Sequence, residues 1–541
     1  MRDYDEITSF LGEWGPFQWS IFILLSLSTV PNGYAGMSMV FLAGTPHHHC
    51  SLPYLNGSMA NLSEALPMEE VKGHLDQSRC ARYKWLNSTG KPFGNETESC
   101  MDGWDYSTEQ YVSTIVTEWN LVCGDSWKAP FSLSVFFMGV LTGSFISGQI
   151  SDRFGRKVVL FITMAMQTIF SLLQLASVSW EMFCILFFIV GIGQISNYVA
   201  AFVLGTELLG KSSRVTFSTL GVCVFYALGY ALLPLCAYFI RSWRMLLFVL
   251  TLPGVLYIPL WWLIPESPRW LLAQGRIKEA QAIVQAAAKK NGVTPPQVIF
   301  SEEDSAKLMH SDTHNTNTSY SYLDLVRTSK MRNITILNVI LWFMVTISYF
   351  GLSLNTSNMN GDPYLNCLLS ALMEVAAYFW AWLMLKVTSR RAVISSTLLT
   401  GGAVLLLTQI VPQEFNILSI VLVMIGKFGI TAAFSVMYIS AMELFPTVVR
   451  GMGVSICSMA SKIGSTISPY FAFIGTYNEA LPYIVMGLMT LTVGLLSLLL
   501  PETQGIPLPE DLSQTQSLNC CFHRCACCQE QEGMLPEETI H

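Results

Sequence analysis

About twelve apolar runs, each long enough to cross roughly 30 Å of hydrocarbon as a helix of about 20 residues, run through this chain and decide its class. Their approximate cores are 20–42, 131–150, 157–178, 181–204, 216–240, 244–264, 334–354, 364–387, 391–411, 416–441, 452–475 and 481–500. No water reaches the hydrocarbon to satisfy backbone N–H and C=O groups, so each run is expected to be a helix and the chain an all-α membrane protein. Charged residues make up 12% of the chain, about half the share of a soluble domain, which agrees. The net charge of -7 is mild and no basic stripe runs beside aromatics, so membrane lipid is an expected partner and nucleic acid is not. The polar start MRDYDEITSFLGEWG lacks a basic leader, so the first run is expected to be retained.

The loops holding DRFGRK, GKSSR, PESPRW, TSRR and PTVVR fall on one side, and clustered Arg and Lys keep loops cytoplasmic. Both termini are then cytoplasmic. The expected divisions are a start at 1–19, a six-helix half at 20–264 with an extracellular loop at 43–129, a linker at 265–333, a second half at 334–500 and a tail at 501–541. The outer loop carries sequons at Asn56, Asn61, Asn87 and Asn95, candidates for glycosylation, and the disulfide candidates Cys50, Cys80, Cys100 and Cys123. Four cysteines allow three pairings, and spacing does not choose among them. HHHC at His47 to Cys50 suggests a metal, but a wet loop edge carrying one disulfide cysteine is the simpler reading. CCFHRCACC in the tail suits palmitoylation, zinc or a plain reduced tail, its ligand spacing being irregular. The final EETIH lacks the hydrophobic end that sheet-edge scaffold domains capture, so scaffold binding is not expected.

GTELLGKS, from Gly205 through Gly210 and Lys211 to Ser212, matches the phosphate-cradling P-loop pattern. A P-loop joins a buried parallel strand to a helix inside an α/β domain, whereas the segment upstream here is long enough to span a membrane. An internal repeat explains the stretch better. At an offset of 236 residues GTELLGKSSR falls on AMELFPTVVR, with Glu207 over Glu443 and Arg214 over Arg450, and Pro265-Glu266 falls on Pro501-Glu502. DRFGRK falls on TSRRAV, although Asp152 meets Thr388. Two parallel six-helix halves describe an alternating-access transporter with its site near the midplane, not an enzyme. Glu207, Arg214, Glu443 and Arg450 are then expected in a conformation-dependent charge cluster.

GQISDRFGRK, from Gly148 to Lys157, resembles the G-x-x-x-D-R-x-G-R-[RK] signature between the second and third helices of the major facilitator superfamily. With PESPRWLLAQGR, the sequon-rich first loop and the start MRDYDEITSFLGEWGPFQ, the chain from Met1 to about Pro509 resembles the organic-ion solute carriers, and among them the organic cation/carnitine transporters. The resemblance implies a major facilitator fold of twelve helices. It also implies a gating role for Asp152, Arg153 and Arg156, whose charge-assisted bonds would form in one conformation and break in another. Topology-setting positive charge is the plainer account of the same residues.

A charge near the bilayer centre costs at least about 2.5 kcal/mol on insertion scales, so Glu374, Lys427 and Lys462, each about midway through a span, are functional candidates. Lys462, in SMASKIGST, has small neighbours that leave room beside its ammonium, which would attract a carboxylate. In the resembling subgroup this position usually carries Arg, and in strictly cationic relatives Asp, with a second acid near Ser435. The chain lacks that acid pair. Lys in place of Arg loses the bidentate fork, and an internal pair between Lys462 and Glu374 is the competing reading. For a substrate ammonium the candidates are aromatic faces. They are Tyr226 and Tyr230, Trp342, Tyr349 and Phe350, Tyr378, and Tyr438, each of which could equally be packing; the resemblance favours Tyr226 and Tyr438.

Gln194, Asn197 and Tyr198 lie within one helical turn, and Asn32 sits in the PNG break of the first helix. Such oxygens suit sodium, although Asn and Gln also join helices. The expected function is therefore plasma-membrane transport of a small zwitterionic quaternary amine, carnitine first, with sodium as the coupling ion and no other cofactor. The alternatives are a sodium-independent carrier of organic cations or an ergothioneine-type betaine, an ATP-binding protein built on Gly205 to Ser212, and a receptor sensing through the outer loop.

Overall fold

The computed structural model describes residues 7–52, 66–71, 74–85, 92–296, 299–300, 322–359, 361–412, 415–475, 478, 480–504 and 509. Asn56, Asn61, Asn87, the CCFHRCACC cluster and the terminal EETIH lie outside them, as does the side chain of Asn95.

The first span is made of three pieces, Pro16–Leu27, Val30–Met37 and Met39–Leu42. The expected break at PNG falls earlier, at Ser28 and Thr29. Pro31 has no N–H for the carbonyl of Leu27 four residues back, and the hydroxyls of Ser28 and Thr29 donate to Leu25 and Ser26 carbonyls at 2.7 Å each. The other spans, second to twelfth, are Lys128–Phe154, Arg156–Gln174, Trp180–Leu208, Val222–Phe239, Trp243–Leu256, Ser329–Leu354, Pro363–Val387, Arg390–Leu407, Asn416–Leu444, Arg450–Ile474 and Ala480–Ser497. Ten described helices are long and apolar enough to cross a membrane; the broken first span and the eleventh, rich in Ser and Gly and carrying Lys462, complete twelve. The fifth is entered through a short helix, Lys211–Thr216, and a π turn, Phe217–Gly221.

Packing repeats across the halves. The second span packs on the fourth as the eighth does on the tenth, the third on the fourth as the ninth on the tenth, and the first on the fifth as the seventh on the eleventh. Between halves the second lies along the eleventh and the fifth along the eighth. Glycine permits the closest crossing: a Cβ at Gly33 would lie 2.1 Å from the Tyr226 carbonyl, and one at Gly229 2.1 Å from that of Val30. The first and fifth spans meet backbone to backbone there.

The loop between the first two spans is more than a connection, because it folds into three antiparallel strand pairs. His48–Cys50 pairs with Trp104–Tyr106, Met68–Val71 with His74–Gln77, and Ala81–Trp85 with Pro92–Ser99. Of the three pairings open to the sequence, the structure has Cys50–Cys100 and Cys80–Cys123. Cys50 of HHHC is thus a disulfide cysteine. Arg82, 8% exposed, bonds Glu98 at 2.9 Å and Asp102 at 2.6 Å, which secures the domain's centre. Burial pushes His48 below the ordinary histidine range, despite the Pro46 carbonyl beside its ring.

Candidate functional site

The eighth and tenth spans bring Glu374 and Lys427 together inside the second half. Lys427 Nζ lies 2.8 Å from Glu374 Oε1, with the two side chains 2% and 0% exposed. The ammonium also sits 3.7 Å from the centre of the Tyr349 ring, and it donates to Ser353 Oγ and, at 3.4 Å, to the Tyr349 carbonyl. The sequence named Glu374 and Tyr349 as substrate ligands and weighed a pair between Glu374 and Lys462. The structure gives both to Lys427 instead.

Lys462 is differently placed. It sits deep in the protein yet keeps surface open to solvent, and its ammonium has no ion pair or hydrogen bond among the described residues. Its turn is fixed to the seventh span, where Thr346 donates to Ser461 Oγ at 2.9 Å and Gly464 faces the Phe343 carbonyl. Trp342, on that same stretch of the seventh span, meets Tyr438 edge-on at 4.3 Å. Tyr438, Tyr198 and Tyr226 lie within electrostatic reach of one another across the two halves, with Cys223 among them, and all four stay partly open. An aromatic wall continues through Phe434, stacked on Tyr349 at 5.5 Å, and Phe350, which meets Phe137 of the first half at 4.9 Å. Phe434 escaped the sequence reading, having no polar atom to mark it. Lys462 is thus a half-buried cation without a partner among the described residues, its neighbour Ser461 tied to Thr346 one turn from the Trp342–Tyr438 contact. Of the predicted substrate aromatics, Trp342 and Tyr349 are buried, as are Tyr230 and Tyr378, while Tyr226, Tyr438 and Phe350 stay partly open.

Asn32, Gln194 and Asn197 do come together in the first half. Asn32 Nδ2 donates to Asn197 Oδ1 at 3.1 Å, Gln194 Nε2 donates to the Asn32 carbonyl at 2.8 Å, and Asn197 Nδ2 donates to the Leu160 carbonyl at 3.2 Å. The Asn32 carbonyl is therefore used, not exposed by the helix break. Its side-chain Oδ1 is the buried oxygen left without a donor. Tyr198 departs from this group and lies instead near Cys223, Tyr226 and Tyr438.

The charged residues at the end of the bundle that carries the linker helices form two matching clusters. Arg156 bonds Glu207 through Nε at 3.1 Å and Nη2 at 3.2 Å, meets Asp152 at 2.9 Å, and gives its backbone N–H to Glu266 at 3.0 Å. Arg390 reaches Glu443 at 3.3 Å and gives its N–H to Glu502 at 3.2 Å. Arg214 and Arg450 were expected in the same charge cluster as Glu207 and Glu443. Arg214 donates to the carbonyls of Thr206 and Leu209, and Arg450 to that of Phe445. Arg156 and Arg390 correspond at an offset two residues shorter than the rest, which hid the match. Arg153 is exposed over the Phe154 ring.

GTELLGKS lies where the fourth span ends at Leu208 and Gly210 precedes the next short helix, so no strand feeds it. Gly205 is small to admit the Phe217 ring, 2.2 Å from where a Cβ would be. The side chains of Lys211 and Ser212 lie outside the described ones.

At the disulfide-bearing end the halves are joined. Phe41 stacks on Tyr364 at 5.2 Å, Tyr364 donates to the Gln110 carbonyl at 3.0 Å, and Ser134 donates to that of Thr466 at 2.7 Å. Every ion pair at the linker end, among the described residues, stays within one half.

The model of the family described as "Sugar (and other) transporter" matches residues 95–511. Mouse organic cation/carnitine transporter 2 is 55% identical over 527 residues, 95% of this chain and 94% of that protein. The human protein of that name is 53% identical over 541 residues, covering 97% and 96%, and mouse solute carrier family 22 member 4 is 54% identical, covering 96% and 95%. Among solved structures, the partially occluded inward open xylose transporter XylE from E. coli covers 91% of this chain and 100% of its own with a TM-score of 0.62 at 15% identity, which shows the major facilitator fold. The family is one of transporters and not of enzymes. With its duplicated six-helix halves and identity running nearly end to end, the chain belongs to the sugar and other transporter family of the major facilitator fold, in its organic cation/carnitine transporter branch.

Proposed function

We propose that this protein is a plasma-membrane secondary transporter of small zwitterionic quaternary amines, carnitine first, working by alternating access with sodium as the coupling ion. The reading rests on Lys462: a partly open ammonium without a partner among the described residues, on a turn tied to the seventh span one turn from the Trp342–Tyr438 contact. A substrate carboxylate would pair with it. The trimethylammonium would lie against Tyr226, Tyr438 and the exposed edge of Phe350, where each desolvated cation–π contact is worth about 0.5–2 kcal/mol. The names of the relatives support organic cations and carnitine as the substrate class.

With the disulfides and sequons outside, the joined end is the extracellular one, and the described conformation faces the cytoplasm. Opening outward then requires Tyr364 to leave Phe41 and the two linker-end clusters to approach. Sodium would bind beside Asn32 Oδ1, the oxygen lacking a donor, so its binding would stiffen contacts among the first, third and fourth spans.

Uptake of labelled carnitine by cells expressing the chain, with sodium present and replaced, tests the reading. Uptake that vanishes without sodium supports the coupled carrier. Equal uptake in both media would make the protein a facilitated carrier, and uptake of tetraethylammonium in place of carnitine would make it a plain cation transporter.

A further inference from the structure

We infer that the first half holds an internal water site, with about two waters bound between Gln167 and Gln174 at the seam of the first, third, fourth and sixth spans. A cavity of about 30 Å³ lies there, apart from the residues proposed to hold substrate or sodium. One wall is a polar stripe of the third span, Gln167, Thr168, Ser171 and Gln174, which helical spacing sets on one face. The facing wall is apolar, with Phe187 of the fourth span and Leu250 of the sixth. All six side chains are more than nine-tenths buried. On the sixth-span side Gly254 closes the seam, since a Cβ there would lie 2.2 Å from Thr168 Oγ1.

Two buried groups of this wall lack a hydrogen-bond partner among the described residues, and they are of opposite kinds: Gln167 Oε1 accepts and Gln174 Nε2 donates. Buried amide atoms in folded proteins are paired, with protein or with ordered water. The glutamines stand two helical turns apart, roughly 10 Å along the third span, so each calls for its own partner. A water needs roughly 10–15 Å³ of such space, which leaves room for about two. Among the described residues no charged side chain lines the cavity. A cation would meet the N–H of Gln174 and an anion the oxygen of Gln167, whereas a neutral molecule that both donates and accepts suits both ends. Pro31 and Tyr34 of the broken first span border the same cavity, so bound water joins the piece Val30–Met37 to the third span.

Brief X-ray radiolysis of the purified full-length protein tests this, because hydroxyl radicals formed from bound water oxidise the side chains beside it. Met164 lines the cavity at 3% exposure, whereas Met37 and Met486, fully buried, do not line it. Met164 is expected to be oxidised at least tenfold faster than either, in sodium and in potassium media alike. Gln167→Leu and Gln174→Leu are each expected to slow its oxidation at least threefold, and the double variant to bring it down to the rate of Met37, with a melting curve for each to show that it folds. Should a variant fail to fold, the comparison within the native chain still decides. Met164 oxidised no faster than Met37 and Met486 overturns the inference, as does an unchanged rate in the folded double variant. A rate several times lower in sodium than in potassium also overturns it, since the cavity would then take the ion in place of water.

Discussion

Lys427 and Glu374, from the tenth and eighth spans, form an ion pair 2.8 Å long from which solvent is shut out at both ends. Breaking a buried pair leaves one uncompensated charge and costs about 3–5 kcal/mol, whereas replacing both partners costs far less. Lys427→Met alone is expected to lower the melting temperature more than Lys427→Met combined with Glu374→Gln. Melting of the purified variants in detergent checks the order.

The clusters around Arg156 and Arg390 hold the ends of the third and ninth spans by matching bonds to Glu207 with Glu266 and to Glu443 with Glu502. Arg156→Gln and Arg390→Gln should each cut the transport rate at least tenfold while the protein still reaches the surface and binds substrate. Surface labelling beside initial uptake rates distinguishes this from misfolding.

Backbone contact at Gly33 leaves no room for a side chain. Gly33→Val should abolish surface expression by forcing the first and fifth spans apart. Gly451→Ala, where a Cβ would meet nothing within 4 Å, is expected to change the melting temperature little, a difference that expression trials read directly.

His48 titrates below the ordinary histidine value of about 6.5, because burial opposes its charged form. The folded strand pair thus binds fewer protons than the unfolded chain. Its contribution to stability is present above about pH 6.5 and is lost as pH falls below that. Hydrogen exchange across His48–Cys50 should quicken at pH 5.5 relative to pH 7.5, and His48→Asn should remove the difference.

The apolar runs were enough to read the fold class, and the repeat to read the two halves, because both follow from hydrophobic length and duplicated chain. Local chemistry displaced some details. Pro31 loosens the helix one turn ahead of itself, so PNG marked the break but not its place. Arg156 and Arg390 match with a shift of two residues, so a fixed offset did not align the arginines that bond Glu207 and Glu443. The partner of Glu374 depends on how two distant helices are rotated, which no spacing reports. Lys462 could be named from its neighbours alone, but its lack of a partner among the described residues is a fact of packing.

Lys462 is proposed to hold the carboxylate of a small zwitterion. Sodium-dependent uptake of labelled carnitine by Lys462→Ala, compared with the native chain at equal surface expression, tests it most directly. Native uptake is expected to exceed background and to require sodium, and Lys462→Ala to lose at least tenfold while Lys462→Arg keeps most of it. Native-level carnitine uptake by Lys462→Ala would contradict it.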